Sequence, residues 1–283
     1  MLFVSTNCLN QPTRKAIACL LGEGISNIEL GPSQECDEGI EEFLISIKNA
    51  RFIIHNYFPP PKKPFILNLA SSDKQVREMS LAQARKSINL CTRLQSRLYS
   101  VHAGFVTDPA FGANHFNFSA VRKGNDYKPA FNRFVNSLKE LLNFAAPAGI
   151  KIAIENNICV ETSRGHLLLS VAQEFERLFC ELPSPNLGVN LDLGHLNVSA
   201  RTLGFDKADF IRRIKNRIFA VHVHQNNGES DSHQPLKEKS WALYALEKEQ
   251  LNEKIPIVLE AHNLTLEDVL SQLRLIGERV KVC

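Results

Sequence analysis

The sequence predicts an α/β protein whose single domain, residues 1–283, is a (β/α)8 barrel. Short apolar segments rich in β-branched residues alternate along the chain with longer segments of helical periodicity. This alternation is typical of a parallel sheet with helical crossovers, and eight such units in 283 residues is the number that closes a barrel. With 44% hydrophobic residues, the chain can bury the large core that this fold needs.

The strands are predicted where short apolar runs end at a polar or turn-forming residue. The second run, for example, is closed by Gly31 and Pro32, which do not continue a buried strand. Apolar runs of this length, bounded by turn residues, are typical of buried parallel strands. In order they read LFVST (2–6), SNIEL (26–30), RFIIH (51–55), LYSVH (98–102), IKIAIE (150–155), LGVNLD (187–192), RIFAVHV (217–223) and IPIVLE (255–260).

The helices are predicted to begin at residues that suit a first helical turn. Pro12 opens the first helix, since its missing amide hydrogen is not needed there, and Gly22 and Gly24 end that helix. Asp37 is expected to cap the second, and Ser72 or Asp73 the third. In order, the predicted helices are residues 12–21, 37–48, about two dozen residues from 72 or 73, 126–148, 169–182, 206–215 and a last helix from 265.

Composition and charge argue against several classes of protein. The formal net charge of +3 is small and spread over both signs, so it gives no strong signature of a nucleic-acid or membrane partner. The seven cysteines are widely spaced without a CxxC pair, which indicates reduced thiols. The first residues do not resemble a secretory signal, and no run approaches the ~20 apolar residues of a membrane span. We therefore expect a cytoplasmic protein.

An acid or a histidine occurs at the end of seven of the eight predicted strands. Since the strand interiors are apolar, a structural role in the core does not explain this position. The carboxyl ends of parallel strands meet at one mouth of a barrel, where such barrels keep their active sites. The sequence therefore predicts a metal or acid–base centre at that mouth. The residues at the strand ends are Asn7, Glu29, His55, His102, Glu155, Asp192, His222 and Glu260.

The segment 221–233, VHVHQNNGESDSH, holds the densest group of metal-binding residue types. His222 lies in the predicted strand 217–223 and His224 directly follows it, and the period-2 alternation of a strand puts both on the same face. Asp231 and His233 follow on a predicted loop. Imidazole and carboxylate together suit zinc, manganese or iron. Taken alone, the two strand histidines could equally be hydrogen-bonded core residues.

With these residues the chain resembles the xylose isomerase-like TIM barrels, which include sugar and sugar-phosphate isomerases and epimerases and the apurinic endonucleases of the endonuclease IV type. In the epimerase branch, the resemblance implies a divalent metal held by residues of strands five to eight. His224 is a second candidate for the ligand of strand seven, although family members that read HxHDND favour His222. The matching positions are Glu155 in AIENN, Asp192 in NLDLGH, His222 in VHVHQNN and Glu260 in VLEAH.

The endonuclease IV branch implies a larger set of ligands that holds three zinc ions, with Glu155 bridging the first two. This chain departs from that branch where it reads DLGH at 192–195 instead of DTCH, and HVHQ at 222–225 instead of HLND. It also lacks a glycine-rich turn after His233. These departures favour sugar chemistry over DNA repair. The additional matching ligands are His55, His102, His195, Asp231 and His233.

The resemblance therefore implies a divalent-metal-dependent sugar or sugar-phosphate isomerase or epimerase. Glu155 and Glu260 would be the acid–base pair, on opposite faces of the sugar, and the reaction would pass through a metal-stabilised enediolate. One to three ions per chain are expected, zinc or manganese, with magnesium also compatible. The alternative is a zinc-dependent apurinic/apyrimidinic endonuclease with DNA as its partner. A sugar-binding barrel without catalysis has no need of two opposed carboxylates.

Several other residues are assigned on weaker patterns. The loop 105–125 is expected to form a lid or wall of the site. His115, His166 and His262 are expected to be surface or loop histidines, Trp241 to pack a helix on the barrel, and Cys159 to serve packing. The resemblance is also compatible with a homo-oligomer. The residues expected to contact substrate are His195, His224, Tyr57, Asn7 and Glu29.

Overall fold

The predicted barrel is confirmed. The computed structural model describes residues 1–32, 36–110, 116–118, 127–251 and 255–280. The strands are β1 (Leu2–Ser5), β2 (Asn27–Leu30), β3 (Arg51–His55), β4 (Leu98–His102), β5 (Lys151–Glu155), β6 (Leu187–Asp192), β7 (Ile218–Val223) and β8 (Ile257–Leu259). They form a closed barrel in chain order, and every neighbouring pair is parallel, including β1 with β8. All strand ends therefore meet at the same mouth.

The helices of the described residues surround this barrel. They are α1 (Thr13–Gly22), α2 (Ile40–Ser46), α3 (Lys74–Arg93), α4 (Tyr127–Ala145), α5 (Ala172–Glu181), α6 (Leu193–Leu203), α7 (Lys207–Ile214), α8 (Trp241–Lys248) and α9 (Leu266–Arg279). As expected, the side chain of Asp73 caps α3, since it accepts hydrogen bonds from the amides of Gln75 and Val76. Within these residues, no helix combines the length and apolar character that crossing a bilayer requires.

The prediction that Asp37 caps the second helix is wrong. The residue before α2 is Gly39, which forms no side-chain cap. The Asp37 carboxylate instead accepts hydrogen bonds from Arg14 of α1, through Nε and, at 2.8 Å, through Nη2. A charged partner on the neighbouring helix thus takes the oxygens that the amides of α2 would otherwise use.

The main core lies between the strands and the helices. Phe131 and Phe134 of α4, Phe175 of α5 and Phe210 of α7 are all essentially buried there. Burial of each such ring contributes about 1.5–3 kcal/mol. Trp241 of α8 packs against this core, as predicted, and the Lys207 ammonium lies 3.9 Å from the centre of its ring.

A second, smaller core fills the lower half of the barrel and determines which residues reach the mouth. It consists of Phe3, Ile53, Leu98, Ala153, Ala220 and Val258, each from a different strand. Because side chains alternate between the two faces of a strand, the residue two positions further on also points into the barrel. Each of these residues is polar, and they are Ser5, His55, Ser100, Glu155, His222 and Glu260. An apolar layer thus supports a polar layer at the mouth.

The loop expected to be a lid or wall, residues 105–125, lies largely outside the described residues, as do His115 and Asp126. Of its described part, Phe105 and Phe118 pack with Cys159 and Leu167. The prediction that Cys159 serves packing is therefore confirmed.

Candidate metal centre

Glu155, the last residue of β5, lies at the centre of the polar layer and is 1% exposed. Its Oε2 accepts a hydrogen bond of 2.9 Å from Asn190 Nδ2 and lies 3.4 Å from His55 Nε2. Its Oε1 lies 3.1 Å from His195 Nδ1 and 3.8 Å from His102 Nδ1. One carboxylate therefore contacts imidazoles from β3, β4 and α6.

His222 of β7 lies among carboxylates from other strands. Its Nε2 is 2.8 Å from Glu29 Oε2, and its Nδ1 is 2.9 Å from Glu260 Oε2 and 3.8 Å from Asp192 Oδ2. The approach to Glu260 lacks hydrogen-bond geometry, so Nδ1 is a buried atom without a hydrogen-bond partner among the described residues. We call the residues around Glu155 and His222 the inner cluster, and its members are Glu29, His55, His102, Glu155, Asp192, His222 and Glu260.

Asp192 ends β6 and at the same time begins α6, a helix that was not predicted. Its Oδ1 accepts a hydrogen bond of 2.6 Å from the amide of His195, which caps the helix. Asn156 fixes this turn, since its side chain exchanges hydrogen bonds of 2.8 and 3.0 Å with the backbone of Asp192. The strand and the helix therefore share a residue, which leaves no loop that could have marked the boundary in the sequence.

The segment after β7 folds back over the mouth. Gln225 and Gln234 exchange backbone hydrogen bonds of 2.8 and 2.7 Å, which close the intervening residues into a loop. Its residue Asp231 places Oδ2 3.1 Å from His195 Nε2 and 2.9 Å from His233 Nε2. The loop thus brings the predicted Asp-x-His pair to the histidine at the start of α6.

His224 belongs with this outer group rather than with His222. Its Nε2 lies 3.2 Å from Asp192 Oδ1 and 3.6 Å from Asp231 Oδ1. The ring of His233 stacks between those of His224 and His262, with centroid distances of 3.9 and 4.0 Å. His262 does lie in a loop, as predicted, but its contact with this group was not foreseen. We call His195, His224, Asp231 and His233 the outer cluster.

The buried charges shift the pKa values of one another. Burial alone would raise the pKa of Glu155, but His102, His55 and His222 outweigh it and hold that pKa well below its usual range. Burial opposes ionisation of Glu260 in the same way, and His222 lowers its pKa. Both glutamates are therefore ionised at neutral pH in the metal-free chain.

In the outer cluster, too, the effect of burial on each pKa is opposed by neighbouring charges and hydrogen bonds. Burial would lower the pKa of His233, but the hydrogen bond to Asp231 and the charge of Glu260 raise it to about 9. The pKa of Asp231 lies well below its usual range, because His195 and His233 outweigh the effect of burial. His102 of the inner cluster differs, because burial prevails there over the charge of Glu155 and lowers the pKa to about 4.

The donor atoms of both clusters fit divalent metal ions. Asp231 Oδ1 and Glu29 Oε1 are buried oxygens without a hydrogen-bond partner among the described residues, as a cation site would leave them. Imidazole nitrogen with carboxylate oxygen is a donor set that zinc and manganese accept. In the part of the chain that the structure describes, four groups have ligand atoms within 4.8 Å of one another, namely Glu29–His55–His222, His55–His102–Glu155, Glu155–Asp192–His222 and His195–His224–Asp231–His233.

Two predicted substrate contacts, Tyr57 and Asn7, follow β3 and β1, and their side chains contact other residues. The Tyr57 hydroxyl accepts a hydrogen bond of 2.7 Å from the amide of Phe65. Asn7 follows β1 and packs so closely against Gly31 that a Cβ there would approach its Nδ2 to 2.6 Å. A role for either residue in substrate binding stays a prediction.

Sequence reasoning missed two supporting residues of the inner cluster. Asn190 holds Glu155, and Ser100 Oγ lies 3.0 Å from His55 Nδ1. Each stands two positions before a predicted site residue, Asp192 or His102, on the same face of its strand. A polar residue in phase with the strand end was the signal that could have identified them.

The chain is similar in sequence to a known protein family and to curated relatives. The family model described as "Xylose isomerase-like TIM barrel" matches residues 28–277. An uncharacterized protein of Methanocaldococcus jannaschii, MJ1311, is 29% identical over 175 residues, which are 61% of this chain and 52% of that protein. The chain spans about half the length of the curated relatives it matches.

Solved structures share the fold over nearly the whole chain. A D-tagatose 3-epimerase-like protein is 20% identical, with a TM-score of 0.77 and coverage of 98% of this chain and 96% of that chain. The IOLI protein with a bound zinc atom is 14% identical, with a TM-score of 0.69 and coverage of 99% and 98%. An AP endonuclease of family 2 from Brucella melitensis is 15% identical, with a TM-score of 0.68 and coverage of 95% of each chain.

Proposed function

The chain belongs to the xylose isomerase-like TIM-barrel family, and on that premise we propose that it is a divalent-metal-dependent isomerase or epimerase of a sugar or sugar phosphate. One observation carries the proposal. Glu155 Oε2 and Glu260 Oε2 lie 3.7 and 2.9 Å from the same atom, His222 Nδ1, and approach it from different strands. Proton transfer on two faces of a substrate requires two carboxyl groups near one ligand position, one as base and the other as acid.

A divalent cation bound here would polarise the carbonyl and the neighbouring hydroxyl of the sugar. Glu155, Asp192, His222 and Glu260 would hold it. One glutamate, in its ionised form, removes the proton from the carbon next to the carbonyl, and the other, after it has taken up a proton from solvent, gives that proton to the opposite face, which inverts the centre. Return of the proton to the adjacent carbon gives isomerisation instead. Because their lowered pKa values keep both glutamates ionised near neutral pH, either of them can be the base that removes the first proton.

The substrate would enter from the solvent side of the clusters. Side chains there are partly exposed, with His102 at 31% and Asp231 at 22%, whereas Glu155 is 1% exposed. The proton-transfer groups thus lie below the entrance, where bulk water is largely excluded. We also propose a small sugar as the partner and the cytoplasm as the location.

The test is solvent exchange with a panel of aldoses, ketoses and their phosphates in D2O, with manganese, zinc or magnesium added. We expect deuterium at the carbon next to the carbonyl and a new epimer or isomer. Glu260→Gln should slow conversion by about 10²–10⁴-fold, because it removes one of the two bases. Glu161→Gln is the matched control, since that side chain is 73% exposed. Equal loss in both variants, or no exchange with any sugar, contradicts the proposal.

The outer cluster favours a second candidate, a zinc-dependent endonuclease at abasic sites in DNA. His195, Asp231 and His233 lie together, as the resemblance to endonuclease IV implies for a third zinc ion. Cleavage of an abasic oligonucleotide that depends on zinc, without exchange in any sugar, would support this candidate and reject the first.

A further inference from the structure

The ring of His224 occupies the space that a side chain at position 194 would need. A Cβ built on Gly194 would lie 1.9 Å from His224 Cε1 and 2.3 Å from its Nε2. Gly194 is in the first turn of α6, one residue before His195, and His224 is completely enclosed, with a side-chain exposure of 0%. Only glycine at 194 therefore admits the imidazole in this position.

In this position the ring directs Nε2 at acidic oxygens of both clusters. Nε2 lies 3.2 and 3.3 Å from the two oxygens of Asp192 and 3.6 Å from Asp231 Oδ1. The last distance is too long for a hydrogen bond, and Asp231 Oδ1 is a buried atom without a hydrogen-bond partner among the described residues. Ligand atoms around a tetrahedral zinc ion, with bonds of ~2.0–2.1 Å, lie ~3.4 Å apart. The gap between Nε2 and Oδ1 is of that size.

The two other histidines of the outer cluster are oriented as metal ligands usually are. His195 Nδ1 lies 3.0 Å from the carbonyl oxygen of Asn156, and His233 Nδ1 lies 2.8 Å from that of Glu260. A carbonyl only accepts, so each Nδ1 carries the hydrogen, and in the neutral ring each Nε2 is left with a free lone pair. Both Nε2 atoms face Asp231.

We propose that His224, admitted by Gly194, is the fourth protein ligand of a metal ion in the outer cluster. The inference rests on the proposed metal-dependent function. Three imidazoles and one carboxylate are the complete tetrahedral set of a closed zinc site, whereas catalytic zinc keeps a position open. The outer ion therefore holds the loop after β7 onto α6, and the reaction takes place at the inner cluster, whose Glu155 and Glu260 remain available to the substrate.

The test is to measure zinc per chain by mass spectrometry, zinc affinity by competition with a chromogenic chelator, and the visible spectrum of the cobalt-loaded protein. We expect His224→Asn to weaken one zinc equivalent by about 100-fold or more and to remove the intense cobalt bands of a four-coordinate site. His262→Asn is the matched control, because that ring stacks on the other side of His233. If His224→Asn retains wild-type zinc affinity and cobalt bands, His224 only hydrogen-bonds Asp192 and the proposal is overturned.

Gly194→Ala provides an independent variant, since it displaces the ring without altering any ligand atom. It should reproduce the loss of the outer ion, while Gly277→Ala, which meets nothing within 4 Å, should not. Circular dichroism of each variant identifies any that fails to fold. A wild-type protein that exchanges sugar protons with a single bound ion would overturn this inference and leave the proposed function intact. Two distinct bound ions without exchange of sugar protons would overturn the proposed function and leave the inference about the outer ion intact.

Discussion

Replacement of Asn190 by alanine tests how Glu155 is held. Asn190 is fully buried, and its Nδ2 donates a hydrogen bond of 2.9 Å to Glu155 Oε2. A hydrogen bond to a buried charged group contributes about 1.5–3 kcal/mol. At 1.4 kcal/mol for each factor of ten, its loss corresponds to a decrease in metal affinity of about 10–100-fold, the range typical of groups that orient metal ligands.

The assay is competition with a chelator at neutral pH, together with the free energy of unfolding of the metal-free protein in urea. Asn27→Ala is the control, because Asn27 Nδ2 also donates within the sheet, to the carbonyl of Leu2 at 3.1 Å, but at the opposite end of the barrel. It should cost only about 0.5–1.5 kcal/mol of stability and leave metal affinity unchanged. Wild-type affinity in Asn190→Ala would refute the argument that this side chain positions Glu155.

Two further predictions concern stability. Because the pKa of His233 is raised to about 9, its contribution in the metal-free protein is fully present below pH 6.5 and is lost as the pH rises through 9. The loss of stability is on the order of 3 kcal/mol, so the melting temperature of the metal-free protein should fall between pH 6.5 and 9.5. An equal fall in His233→Gln would show that His233 is not the group responsible. Phe134→Ala should lower the free energy of unfolding in urea by about 3–5 kcal/mol, since that ring is completely buried in α4; a cost below 1 kcal/mol would show that the ring does not support the core.

The barrel and its mouth were predictable because two independent patterns agree. Apolar runs set the strand positions, and ionisable residues such as His55 and Glu155 end several of these runs. In a parallel barrel, a residue at a strand end is already placed at the mouth. The local geometry of strands therefore carried most of the information about the inner cluster.

The features that could not be predicted depend on contacts between segments that lie far apart in the sequence. Asp192 serves both β6 and α6, so the start of the helix was hidden within the strand. His224 was already a candidate ligand, but its proposed role depends on Gly194, which gives no signal in the sequence until the ring and the glycine are seen to share one volume. Asp37 was predicted to cap a helix because aspartate is common at that position. Its actual partner, Arg14, lies on another helix, and the sequence does not pair the two residues.

The most direct test of the central claim is deuterium incorporation from D2O into a panel of sugars and sugar phosphates by the metal-loaded protein. The account predicts exchange at the carbon next to the carbonyl, abolished by chelator and restored by added metal, and greatly slowed in Glu155→Gln. Absence of exchange with every sugar, in a protein that carries its metal, would contradict the claim that Glu155 and Glu260 transfer protons on a sugar.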